Sequence, residues 1–236
     1  MVRRMIILGI ETATQRVGCA LGGYEGVLAS FCSSRGRQHA ETLVPAIDFV
    51  CKQARIEMKE ISAIAVDIGP GLFTGMRVGV ATGKAMAHAL RVPMIGLSSL
   101  DLLAFPVRHT DRLIAAVIDA RRNEVFWALY RQVPGGVQRL GAHRISSPHE
   151  LASELLARSE DCLAVGDGAL RYRDILGDIG GVDVGEIGFA HPSAEALVEL
   201  AHPRAIREEF VQPWELELLY LRKSDAEITW ERREAE

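Results

Sequence analysis

Ile68-Gly69-Pro70-Gly71-Leu72-Phe73-Thr74-Gly75-Met76-Arg77-Val78-Gly79-Val80-Ala81-Thr82-Gly83-Lys84 is the most constrained stretch of the chain. It reads as a strand end, a tight glycine-proline turn and a helix. On that helix Gly75, Gly79, Gly83 and then Ala87 fall four apart and form one slowly drifting stripe without side-chain bulk. Each glycine in a helix interior costs roughly 0.5–1 kcal/mol relative to alanine, so something must approach closely enough to offset the loss. The close neighbour is either the protein's own core or a second molecule. Val78, Val80, Ala81, Ala85, Met86 and Ala89 flank the glycines, and so apolar a helix suits burial on two faces. Arg77, Lys84 and His88 interrupt it and exclude a transmembrane pairing helix.

Working outward, the apolar run at 61–68 before the turn and the run at 92–97 after the helix predict buried strands joined by a parallel crossover. Further upstream, 5–10, 17–21 and 27–33 predict three antiparallel strands. Leu43, Ile47, Val50, Cys51 and Ala54 then fall on one face of an amphipathic helix that Pro45 allows only if it starts near Glu41. Ser98 caps a helix running to about 105. The polar, proline-bearing segment 106–110 reads as a boundary, after which the order begins again: strands at 112–119, 124–131 and 137–145, a capping box Ser147-Pro148-His149-Glu150 opening a helix, a strand at 162–166, and a helix at 192–201. The glycine-rich segment 177–188 gives no pattern. A βββαβα order used twice predicts an α/β chain of the actin-like, ribonuclease-H-like kind, with domains at 1–106 and 107–210. In the tail, 211–236, the first part is too apolar to stand in water and should dock, while its charged end, 231–234, should fray.

The chain has 236 residues, enough to bury a sizeable core, and a formal net charge of -4, which speaks against nucleic-acid binding by bulk charge. Arg35-Gly36-Arg37 and Arg121-Arg122 are the local basic patches, read as solvated loop charge. Cys19, Cys32, Cys51 and Cys162 form no CxxC pair and suit reduced, buried thiols. The start Met1-Val2-Arg3-Arg4 followed by an apolar run imitates a signal peptide, but Gly9-Ile10-Glu11 ends the run too early, and no segment approaches the ~18 apolar residues of a membrane span. A cytoplasmic protein without a membrane partner is the expectation.

Several chemical motifs fail on inspection. Gly83-Lys84 is followed by Ala85 inside a helix, so Gly69-Pro70-Gly71 does not open a phosphate loop of the GK[ST] kind. The seven histidines are dispersed, without HxxxH or HExxH. His39 and Glu41 suggest an acid-base pair, but an acid is favoured at a helix start for dipole reasons alone. Ser98-Ser99 lacks a GxSxG surround. In the actin-like plan, hairpin turns of the two halves can face a nucleotide phosphate. Here these are Glu11-Thr12-Ala13-Thr14 and Asp119-Ala120-Arg121-Arg122-Asn123. Such a turn wants glycines for its amides and an aspartate for magnesium, and the first has neither. Gly166-Asp167-Gly168-Ala169 is better suited to a nucleotide contact, although a plain tight turn explains it equally well. Glu11, Thr12, Asp167 and Gly168 are the residual nucleotide-binding candidates, of vestigial character.

Ile7-Leu8-Gly9-Ile10-Glu11-Thr12, His39-Ala40-Glu41-Thr42-Leu43, the run from Gly69 to Gly79, Asp119 to Val125, and Tyr220-Leu221-Arg222 together resemble the TsaB family, also called YeaZ. The resemblance spans most of the chain in order, and the GPGxFTGxRxG run is its most specific part. It implies a non-catalytic paralogue and partner of the TsaD-like threonylcarbamoyl transferase. The two act with a TsaE-like ATPase in forming threonylcarbamoyladenosine beside the tRNA anticodon. It further implies that the chain meets tRNA only through the complex, carries no cofactor of its own, leaves ATP or ADP to the complex, and self-associates through the same surface when alone. In that family the transferase holds a metal with an HxxxH pair, and its two positions fall here on Ser99 and Leu103. The implied partner interface lies on the N-terminal helices, at Leu43, Ile47, Gly75, Arg77, Val78, Gly79, Thr82 and Gly83. The competing reading is an autonomous enzyme of the actin-like fold, either a small-molecule kinase or a metal-dependent protease.

Overall fold

The structure is a computed structural model and describes residues 5–34 and 39–222. The Arg35-Gly36-Arg37 patch and the charged end at 231–234 lie outside the described residues. In the first half, β1 (Ile6–Glu11), β2 (Val17–Gly23) and β3 (Gly26–Ser33) form an antiparallel meander. Then follow α1 (His39–Ala54), β4 (Ala63–Asp67), α2 (Phe73–Leu90), β5 (Met94–Leu97) and α3 (Ser99–Ala104). The sheet order is β3-β2-β1-β4-β5, with β4 parallel to both β1 and β5. β1 and β4 are apolar on both faces because each lies between two strands and helices cover both sides.

The second half repeats the plan with β6 (Leu113–Arg121), β7 (Glu124–Val133), β8 (Gly136–Ser146), α4 (Pro148–Arg158), β9 (Cys162–Val165), α5 (Asp167–Arg171), α6 (Arg173–Gly177), β10 (Val182–Val184) and α7 (Ala194–Ile206). Its sheet reads β8-β7-β6-β9-β10, the same order position for position. This duplicated sheet is the actin-like plan expected from the order of elements. Each unit is one strand longer than a bare βββαβα, and the second unit's fifth strand is the three-residue β10 inside the glycine-rich segment that gave no pattern. The expected turn at 167–169 is the start of α5, and α1 begins at His39, so Pro45 sits inside it.

The halves exchange helices. One face of the first sheet, with Leu8, Ile10, Ile64 and Val66, is covered by Leu43, Ile47, Val50 and Val80 from α1 and α2. The other face, with Ile7, Ala63, Ala65 and Ile95, is covered by Ala196, Leu197, Ala201 and Ala205 of α7, a helix that the expected boundaries place in the second domain. Gly9 has no room for a β-carbon there, since Val198 Cγ2 stands 2.9 Å from where one would sit. Conversely Leu100, Leu103 and Ala104 of α3 pack with Ile114, Ile118, Phe126 and Tyr130 of the second sheet. Tyr130 Oη, itself buried, donates to Asp101 Oδ1 at 2.7 Å across that contact.

The tail docks as expected of its apolar content. Val211 forms an antiparallel bridge with Met94, Leu216 is buried against the first core, and Leu219 N donates to Ile68 O at 2.8 Å. Trp214 and Tyr220 are exceptions and stay 72% and 44% exposed.

Candidate functional site

The glycine face of α2 turns inward. β-Carbons at Gly75 and Gly79 would lie against Thr12 O and Thr12 Oγ1, and one at Gly83 against Val66 Cγ1, all well under the 3.0 Å that real β-carbons keep. Thr12 Oγ1 donates to Gly75 O at 2.9 Å and Leu72 N donates to Ala13 O at 2.7 Å, so the helix start is fastened to the β1–β2 turn. Gly75, Gly79 and Gly83 are therefore core positions and cannot present a partner surface, and Leu43 and Ile47 are likewise buried, beneath α1. Of the expected interface residues, Arg77 is exposed and Val78 and Thr82 are half-buried. The reason is geometric: the side of a helix that can approach a backbone turn this closely is the side with no side chains. The outward side of α2 carries Ala81, Ala85 and Ala89, all exposed; on α1, Val44 is 57% exposed, whereas Phe49, 47% exposed, lies on the flank toward β3, its ring 6.3 Å from that of Phe31.

The nucleotide candidates do not converge on one open site. Glu11 is buried, with Oε1 accepting from Ala13 N at 2.9 Å, and Thr12 is committed to α2. Asp167 Oδ1 accepts from Asp119 N at 3.0 Å, and a β-carbon on Gly168 would stand 2.8 Å from Ile118 C, so this pair is pinned to β6. Burial, with the charge of Asp67 added, holds the Glu11 carboxyl above its ordinary range. Burial raises Asp67 likewise, against hydrogen bonds at 2.7 Å from Ser99 Oγ and from Gly69 N. His39 is not an acid-base partner of Glu41. Its Nε2 is hydrogen-bonded to Thr14 O at 2.9 Å in a buried setting, while Glu41 is exposed.

The positions that the resemblance gives to a metal-binding histidine pair do not fit a metal. Ser99 is fully buried with its hydroxyl spent on Asp67, and Leu103 is an apolar core residue between the halves. Among the described residues no group of three or more His, Cys, Asp or Glu side chains is placed to hold an ion. No described helix is long and apolar enough to cross a membrane.

The open space lies elsewhere, in a cavity of about 640 Å³ between the halves. Its walls are the first turns of α2 from one half, the β6–β7 turn from the other, and the tail strap over Leu219–Arg222. Arg222 donates to Ala120 O at 2.8 Å and is paired with Glu124, tying the strap to the β6–β7 turn. In that turn Arg121, Arg122 and Asn123 all take left-handed backbone conformations, with φ of 62°, 54° and 59°. The positive φ that would ordinarily call for glycine is supplied by other residues. The 119–123 turn is the second of the two hairpin turns expected to face the space between the halves, and its left-handed backbone at three non-glycine residues is set by the turn and leaves no mark in the sequence.

The chain is 29% identical to the Bacillus subtilis tRNA threonylcarbamoyladenosine biosynthesis protein TsaB over 226 residues, 96% of this chain and 98% of that protein. It is 40% identical to a Mycobacterium leprae protein described only as uncharacterized, over 151 residues, and there it spans 62% of this chain but 40% of the relative. A Pseudomonas aeruginosa protein described as similar to the peptidase YeaZ superposes with a TM-score of 0.81 at 28% identity, over 92% of this chain and all of that one. Residues 24–230 match the model of the family TsaD: tRNA N6-adenosine threonylcarbamoyltransferase, and with so much of its length matched the chain belongs to that family.

Proposed function

We infer that this chain is the non-catalytic partner of a TsaD-like transferase in tRNA threonylcarbamoyladenosine formation, acting with a TsaE-like ATPase. The observation that carries the reading is the pair Ser99 and Leu103. At the positions where the transferase would hold its metal, this chain has a hydroxyl already bonded to Asp67 and a leucine in the core. Neither supplies an imidazole, and exchanging them would disturb the packing between the halves. Near-full-length similarity to TsaB supports the same pathway step.

The docking surface in this reading is the outer side of α1 and α2, with Val44, Ala81 and Ala85 at its centre and Arg77 at one end. Small residues on α2 let a partner helix lie close, and the apolar side chains of α1 supply area that leaves water on contact. Self-association of the free chain would use the same surface.

The test is reconstitution: the chain is mixed with its TsaD-like and TsaE-like counterparts and threonylcarbamoyl transfer to tRNA is measured. Omitting this chain should abolish or sharply reduce transfer. Full activity in its absence, or turnover of ATP or peptide by the isolated chain with stoichiometric bound metal, would overturn the reading in favour of an autonomous enzyme.

A further inference from the structure

The outer side of α2 carries a charge pattern that the helix cannot use by itself. Across its 18 residues there is no aspartate or glutamate, in a chain of net charge -4. Its cations are Arg77 and Lys84, and Arg91 caps it, so the three recur at intervals of seven. Seven residues make nearly two full turns, which sets Arg77 and Lys84 on one stripe about 10 Å apart, along a flank of Ala81 and Ala85. Arg77 and Arg91 are exposed and Lys84 is half-buried. Among the described residues, none of the three is ion-paired with a carboxylate.

The helix dipole explains one of these cations. Positive charge is favoured at the C-terminal end, where Arg91 stands, but the effect fades within the last turn and Lys84 lies six residues before Leu90. Arg77 stands near the opposite end, where the dipole favours an acid and the first turn holds none. On α1 the charges are matched: Glu41 occupies the first turn, and Lys52 meets Asp48 at 2.6 Å. The surplus positive charge of the docking surface therefore belongs to α2.

Resting on the docking surface inferred above, we propose that the partner lays along α2 an acidic stripe, with carboxylates spaced every seven residues opposite Arg77, Lys84 and Arg91 and small or apolar residues over Ala81 and Ala85. Charges that flank a packed seam at such intervals select a partner and fix its direction. A protein is favoured over RNA because the alanines beside the cations offer close packing, and neither a stacking ring nor a hydrogen bond to a base. The same stripe works against self-association. Two copies docked through α2 set like charges against each other, a repulsion that salt relieves, whereas salt weakens attraction to an acidic partner. Charge thus discriminates between the TsaD-like partner and a second copy on one surface.

Calorimetric titration of the full chain with the TsaD-like partner at low and high salt tests it, with the double variant Lys84→Gln, Arg91→Asn beside the unaltered chain. Glutamine keeps most of the length at 84 and asparagine tolerates the left-handed backbone at 91, so the variant should stay folded, which circular dichroism checks. The expected result is association that weakens with salt, about three- to tenfold weaker in the variant at low salt and less salt-dependent there. Sedimentation of the free chain should show self-association that strengthens with salt, and weakening with salt would overturn the like-charge contact. Partner affinity indifferent to salt and to the double variant, yet lost in Ala85→Glu, would overturn the acidic stripe and leave the docking surface standing. A complex that survives Ala85→Glu as well would overturn both. Binding of a short oligoribonucleotide that is lost in the double variant, with partner affinity unchanged, would assign the cations to RNA and overturn the proposal.

Discussion

Thr12 and Gly79 define how closely α2 can lie on the β1–β2 turn. A valine at 79 would drive its β-carbon into Thr12 Oγ1 and break the bond from that hydroxyl to Gly75 O. Overpacking together with a lost buried hydrogen bond should cost about 2–4 kcal/mol, a fall in Tm on the order of 10 °C for a chain of this size. Thermal denaturation of Gly79→Val checks this, and an unchanged Tm would argue against the inward stripe. A second residue-scale prediction concerns Asp67, buried and raised from 3.8 to about 7. With its folded pKa above its unfolded one, its contribution to stability is fully present below about pH 4 and is lost as pH rises through about 7. Asp67→Asn should therefore flatten the decline in stability across that window, measured by denaturant unfolding at pH 4, 5.5 and 7. The glycine spacing was legible because it is local, whereas the direction of the stripe was not: a run of small residues reports a side without bulk and leaves open which surface comes to meet it. The burial of Glu11 and Asp67 beside one another, and of Asp67 against Ser99, comes from residues far apart in the chain and left no local trace.

Among the elements, the strands and long helices followed from periodicity, since β1, β4 and β6 are largely apolar runs and α2 follows the glycine-proline turn and carries the glycine stripe. β10 escaped because three residues between glycines carry no period. The paired helices α1 and α2 carry the prediction that belongs to this scale. Val44→Asp or Ala85→Glu should leave the chain folded, because both side chains are exposed, yet weaken association with the TsaD-like partner at least tenfold, about 1.4 kcal/mol. Size-exclusion chromatography of the mixture, with circular dichroism of each variant, separates the two effects. An intact complex from both variants would move the interface elsewhere. The contrast with Gly79→Val is informative, since a change on the inner side of α2 should destabilise the protein and one on its outer side release a partner.

At the scale of the molecule, the exchange of α3 and α7 binds two similar units into one. The first sheet lacks its second cover without α7, and α3 completes a core built mainly from the second half. The prediction is a single calorimetric transition with equal van't Hoff and measured enthalpies, and failure of residues 1–106 to fold alone. Two resolved transitions would show the halves to be independent. The boundary near 106–110 was read from composition, but the destination of α7 is a tertiary matter, because the same small apolar face suits either sheet. The short bridge between Val211 and Met94 bears on a different hazard. β5 is the outer strand of its sheet and would otherwise offer unpaired amides and carbonyls to a neighbouring chain. By lying along that edge, the returning chain guards against strand-to-strand polymerisation. Strand addition from outside would first have to peel away the segment that also anchors Leu216.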